Sequence, residues 1–279
     1  DNVSNGNEYG ANPDVSIDWG DNPYTFYTSH YLNWYHDSSL VQQRTKLEIA
    51  QEVVTTIIQT NTSIDFGLME FNRREGGRIV SRLIQNMTDA QRANLVTMVN
   101  QMDHSGYTPM CESMYEAYNY LAGNDLVYGN SAESGSDSRG VYDVLAKDSL
   151  AESPAGTYAS PNSDCAYTYI ILMTDGYPLS DTGANGSIKT MTGASSCGAF
   201  QDYYGDNTEN CMPDLADYMA TTDLDGDTTN GDQYGITYKI GFQTDHELLR
   251  LTAEKGKGEY YTANDAQQLT EAFQGALVG

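Results

Sequence analysis

The sequence predicts an α/β fold, an open sheet with helices on both faces. Two observations carry that reading. From Thr45 onward, segments with apolar residues at helical spacing alternate with short apolar runs bounded by turn residues. One of those runs, Tyr167–Met173 (YTYIILM), is unbroken, which predicts a strand buried on both faces of a parallel sheet. At 279 residues the chain has room for one large domain, and it reads as a single one over 1–279.

Residues 1–30 are rich in Asn, Asp, Gly and Tyr without periodicity and read as loop. TKLEIAQEVVTTIIQT then places Leu47, Ala50, Val54, Ile57 and Ile58 on one helical face. Ile64–Phe71 is short and apolar, a strand, and Gly76-Gly77 marks a turn. Thr88 is an N-cap for a helix whose buried stripe is Leu95, Val99 and Met102. The loop HSGYTP leads into the helix MCESMYEAYNYLA. Residues 124–164 and 180–211 are rich in Gly, Ser, Asp and Asn and read as surface insertions around the Tyr167–Met173 strand. Pro213 opens a helix at the position where proline is tolerated. A strand, YGITYKIGF, alternates Ile236, Tyr238, Ile240 and Phe242. Helix 245–255, a strand around Tyr260-Tyr261 and helix 265–277 complete the order.

Asp and Glu number 39 against 14 Lys and Arg, a net charge of −25. A field of that sign repels phosphates, which excludes nucleic acid and disfavours an anionic membrane surface. No apolar run approaches the length of a membrane span. The acidic, lysine-poor composition and four cysteines point to an exported protein. Those four, Cys111, Cys165, Cys197 and Cys211, permit three pairings. Cys197 and Cys211 bracket a Gly/Asp/Asn-rich loop, and closing it would contribute roughly 3 kcal/mol.

In open α/β sheets ligands bind beyond the carboxyl ends of the strands. Thr108, on the loop before a helix, and Asp175, at the end of the apolar strand, both fall there. A hydroxyl and a carboxylate are oxygen donors of the kind that hard cations take. Asp223, Asp225, Asp227 and Asp232 form a second cation candidate, in which alternate carboxylates on a Gly-bent loop suit Ca²⁺. No Gly-x-Ser-x-Gly, His-Glu-x-x-His or phosphate loop occurs. The tyrosines at 115, 118, 120, 203 and 204 offer either a sugar- or protein-binding surface or the rim of a core.

GYTPMCESMYEAYNYLAG (Gly106–Gly123) followed by a strand ending Leu-Met-Thr-Asp-Gly resembles the second and third loops of a von Willebrand factor type A domain. YLNW (Tyr31–Trp34), GLMEFNRREGGRIV (Gly67–Val80), MPDLADYMATTDL (Met212–Leu224) and TYKIGF (Thr237–Phe242) extend the resemblance over 31–279. Gly-Gly-Arg-Ile-Val after the Phe-Asn strand end narrows it to the PilY1-type proteins of type IV pili. The resemblance implies a Rossmann-like sheet and a metal-ion-dependent adhesion site. Thr108 would be its second-loop ligand to Mg²⁺ or Mn²⁺, with Asp175 acting through a bound water.

The family's Asp-x-Ser-x-Ser loop is not present. Asp37-Ser38-Ser39 comes near, but Val41 stands where the second serine belongs, so the first strand and its loop are expected before Asp1. On the same resemblance, Cys197–Cys211 staples the second insertion and Cys111–Cys165 ties the Asp175 strand to the helix after Thr108.

The resulting expectation is a non-enzymatic adhesin domain at the cell surface, at the pilus tip. It would meet minor pilins or tip components, and a host or abiotic surface ligand. The alternatives are a structural pilus-tip module with a non-functional metal site, and an acidic secreted hydrolase.

Overall fold

Thr45 and Thr88 each start a helix by the same local chemistry. The threonine hydroxyl accepts from the backbone N–H three residues on, and the side chain of Glu48 or Gln91 accepts from the threonine's own N–H. These reciprocal caps open α1 (Lys46–Thr60) and α2 (Asp89–Gln101). The structure is a computed structural model that describes residues 28–29, 44–103, 106–132, 134–137, 140–162, 165–227 and 229–278. The chain divides into two compact units, Asp1–Arg44 and Thr45–Gly279, and the second holds every element named here. The segment Tyr31–Trp34, the near-miss at Asp37-Ser38-Ser39 and nearly all of the expected loop 1–30 lie outside the described residues.

Between α1 and α2 runs an antiparallel hairpin, β1 (Leu68–Phe71) and β2 (Gly77–Ser81), in which Phe71 faces Gly77. Gly76 turns it at φ 66°, a conformation that favours glycine. The sequence reading had the turn but not β2, because its buried run carries Arg78 in its middle. Arg78 is wholly buried, and it donates to Asn72 Oδ1 at 2.8 Å and to the Ser131 and Ala132 carbonyls at 3.0 and 3.2 Å.

After α2 come α3 (Met110–Ala122), the short hairpin β3 (Ser134–Asp137) and β4 (Gly140–Asp143), and β5 (Tyr167–Thr174). The second expected insertion is not bare loop. It contains α4 (Asn185–Thr192) and a hairpin, β6 (Ala199–Gln201) with β7 (Asn207–Glu209). Then follow α5 (Met212–Thr221), β8 (Tyr234–Phe242), α6 (Glu247–Lys255), β9 (Lys257–Ala263) and α7 (Ala266–Val278).

β5, β8 and β9 form one parallel sheet with β8 in the middle. Side chains alternate across it with period two. Ile170 and Leu172 pack on one face with Met110, Met114, Leu215 and Leu248. Ile171 and Met173 pack on the other with Val53, Ile57, Leu269 and Phe273. Helices therefore cover both faces, and the fold is mixed α/β. Each fully buried side chain of this size contributes about 1.5–3 kcal/mol.

Two expectations need correction. β5 is not buried on both faces along its length: among the described residues it pairs only with β8, and Tyr167 and Tyr169 are 62% and 53% exposed. Within this sheet the buried strand is β8, enclosed from Gly235 to Phe242 with a neighbour on each side. Second, Cys111 and Cys165 are both free. Cys111 is buried in the first turn of α3, with its N–H on Asp181, beyond the carboxyl end of β5. Cys165 precedes the amino end of β5, and eight residues of strand extend about 26 Å. The Cys197–Cys211 bridge is present. Among the described residues no helix is long and apolar enough to cross a membrane.

Candidate functional site

Three segments converge beyond the carboxyl end of β5: the start of α1, the loop before α3, and the turn that follows β5. Thr108 forms an isolated antiparallel bridge with Leu179, and its carbonyl accepts from Leu179 N–H at 3.4 Å and from Met110 N–H at 3.0 Å. Its hydroxyl lies beside Gly176, where a Cβ would come to 3.6 Å of Thr108 Oγ1. The Thr174 hydroxyl closes the turn, accepting from Gly176 N–H at 3.3 Å. Asp175 points outward and pairs with Lys46 Nζ at 3.4 Å. Both partners are well exposed, so this pair adds little stability. The sequence-expected Thr108 and Asp175 are thus on one edge of the molecule.

Two oxygen donors, one of them already facing an ammonium, fall short of the near-octahedral set that Mg²⁺ demands. Thr108 and Asp175 alone do not make up that set.

Asp223, Asp225, Asp227 and Asp232 are not gathered into a cage. Asp223 Oδ1 accepts from Gln233 N–H at 3.0 Å, and Asp225 accepts from Asp227 N–H and from Asn230 Nδ2, both at 2.8 Å. Asp227 Oδ1 accepts from Thr229 N–H and from its hydroxyl, and Asp232 accepts from the Tyr234 hydroxyl. These bonds shape the loop between α5 and β8. Among the described residues, the one group of three His, Cys, Asp or Glu ligand atoms within 4.8 Å of one another is Cys197, Cys211 and Asp214. Its two sulfurs are spent on the disulfide.

A buried polar cluster next to the carboxyl edge was not legible beforehand. Asp181 is 4% exposed and accepts from Cys111 N–H at 2.5 Å and from Asn210 Nδ2 at 2.6 Å. Glu112, wholly buried, accepts from Gly183 N–H, and its Oε2 has no N–H or hydroxyl donor. Burial pushes Asp181 well above the usual carboxylate range and raises Glu112. The Glu112 charge adds to burial in raising Asp181, so the neighbouring acids favour a protonated form.

Lys239, fully buried on β8, places Nζ 3.4 Å from the sulfurs of both Met114 and Met212. Burial pulls its pKa down to about 7, with Asp181 and Cys111 resisting the shift. A lysine inside the alternating strand YGITYKIGF was the one sequence signal for this cluster. Glu112 and Asp181 lie on separate elements and gave none.

Of the tyrosines singled out above, Tyr118 and Tyr120 are core. Tyr203 and Tyr204 are 63% and 71% exposed at the β6–β7 turn, with ring centroids 5.4 Å apart. No protein-family model and no curated protein matches the chain.

Proposed function

We propose that this chain is the von Willebrand A-like domain of an exported adhesin of the type IV pilus, related to the PilY1-type proteins and binding a partner rather than turning over a substrate. The observation that carries the reading is the convergence of Thr108, on the loop before α3, with the Thr174-Asp175-Gly176 turn after β5. The family resemblance would make these the second and third adhesion-site loops, and they meet beyond the carboxyl end of a parallel strand, where such folds bind ligands.

Among the described residues β5 has no strand on its second edge, which supports the reading further. The β1–β2 hairpin shares a core with β5 on one face, through Met69, Phe71 and Ile79 beside Ile170 and Leu172. On the other face Phe66 packs in the cluster of Ile171 and Met173. A first strand of the family type, seated along β5, would join the two sheets and bring the Asp-x-Ser-x-Ser ligands to Thr108. Minor pilins or tip components, and a surface ligand that completes the metal's coordination, are the partners this reading assigns.

The test is calorimetric titration of Mg²⁺ and Mn²⁺ into protein extended upstream of Asp1, alongside Thr108→Ala and Asp175→Ala. Binding that both substitutions abolish, together with lost surface attachment by cells carrying them, is expected. Equal behaviour of all three proteins would leave a structural role at the pilus tip in its place.

A further inference from the structure

A cavity near these loops bears on binding whether or not the pilus reading holds. Between the β6–β7 hairpin and the segment 178–182 is a cavity of about 210 Å³. Drug-sized ligands occupy about 300–1,000 Å³, so this one accepts a single small ring. Its walls include Ser180, Asp181, Thr182, Phe200, Asp202 and Thr208, five polar side chains and one aromatic.

The carboxylates there are already satisfied. Asp202 accepts from the N–H groups of Tyr204 and Asp206 at 2.9 and 3.0 Å and from the Thr208 hydroxyl at 3.0 Å. Asp181 is held by Cys111 and Asn210. Neither is a bare charge waiting for a cation, and a chain of net charge −25 repels anions. What remains free is neutral: the Ser180 and Thr182 hydroxyls make no hydrogen bond within the described residues. Ser180 is held at φ 54°, a conformation uncommon for a residue with a Cβ.

The walls are also cross-tied. Cys197–Cys211 closes the base of the hairpin, Asn210 N–H donates to Gly198 O at 2.9 Å, and His246 Nε2 lies 2.7 Å from Gln201 O. The exposed Tyr203–Tyr204 pair sits at the turn, tied to the opposite wall through Tyr203 N–H on Pro178 O at 2.9 Å. Hydroxyl and amide groups around an aromatic wall, with flat aromatic rings nearby, suit a ring that is polar at its edge and apolar on its face.

We infer that the cavity between the β6–β7 hairpin and residues 178–182 binds one neutral sugar ring, with Tyr203 and Tyr204 meeting the rest of a glycan.

The experiment titrates the methyl glycosides of glucose, galactose and mannose, and N-acetylglucosamine, into ¹⁵N-labelled protein, with tetramethylammonium and sulfate as controls. The expected result is saturable shifts of the Ser180, Thr182, Thr208 and Asn210 amides with at least one sugar. Removing both free hydroxyls in Ser180→Gly/Thr182→Ala should weaken binding about tenfold, as the loss of two uncharged hydrogen bonds implies. Glycine adopts φ 54° without strain, so that variant keeps its fold, checked by its circular dichroism and melting temperature. No saturable shift with any sugar, unchanged affinity in the double variant, or a stronger response to tetramethylammonium overturns the assignment.

Discussion

β5 and β8 are hydrogen-bonded neighbours in register along their length, yet they live in opposite environments. β5 has the more apolar sequence and shows two tyrosines to solvent at its amino end. β8 carries Thr237 and Lys239 and buries both completely. The difference is position. β8 has a strand on either side and helices above and below, so even an amine is enclosed, whereas β5 has one hydrogen-bonded neighbour among the described residues. Composition sets what burial costs or contributes, and the sheet order decides who is buried.

Truncation is the strongest way to break this comparison. Ile240→Ala, at a wholly buried site on β8, should lose about 3–4 kcal/mol in urea unfolding, while Tyr169→Ala on β5 should lose under about 1 kcal/mol. Equal losses would mean that β5 is covered in solution.

Next in size is the pH dependence set by Lys239. Its amine releases its proton at about 7 in the folded chain against the usual 10.5. Between those values the unfolded chain binds more protons, so this group makes stability rise with pH by up to about 1.4 kcal/mol per unit. Lys239→Met, which fits the same thioether surroundings, should remove that rise between pH 7 and 10 and leave the far-UV spectrum unchanged. Glu112 and Asp181 act in the opposite sense. Their pKa values are raised on folding, so their contribution is full in acid and is lost as pH climbs through the folded values. A slope that survives in Lys239→Met would remove Lys239 as its source.

The smallest effect is on thiol reactivity. Cys165, exposed just before β5, should react with iodoacetamide in the native protein, whereas Cys111 should react only on unfolding. Intact mass then shows one adduct without denaturant and two with it. No native adduct would place the pair in a disulfide after all.

The parts of the fold that sequence made legible are those fixed by local chemistry. The N-cap at Thr88 and the helical stripes of α1 and α2 depend on near neighbours, as does the loop closed by Cys197 and Cys211. The cap at Thr45 and the reciprocal partners Glu48 and Gln91 emerged only in the structure. β2 was hidden because Arg78 interrupts its apolar pattern and finds partners only in a distant loop. β6 and β7 have three residues each, too few to show alternation. Thr108 and Asp175 were legible because they stand at element boundaries. Asp181 and Glu112 were not, because each looks ordinary until the chain folds, and Lys239 showed only as a lysine inside an alternating strand.

The crossover from β5 to β8 has a kinetic side. Parallel neighbours cannot be joined by a tight turn, and here α4, the β6–β7 hairpin and α5 all lie in the connection. The central strand pair can form only after the chain has been synthesised through Phe242, and only by closing that long loop. Cys197–Cys211 lies inside it. An oxidised chain therefore has a shorter free path to close than a reduced one, so the bridge bears on the rate at which the sheet assembles as well as on the stability of its hairpin.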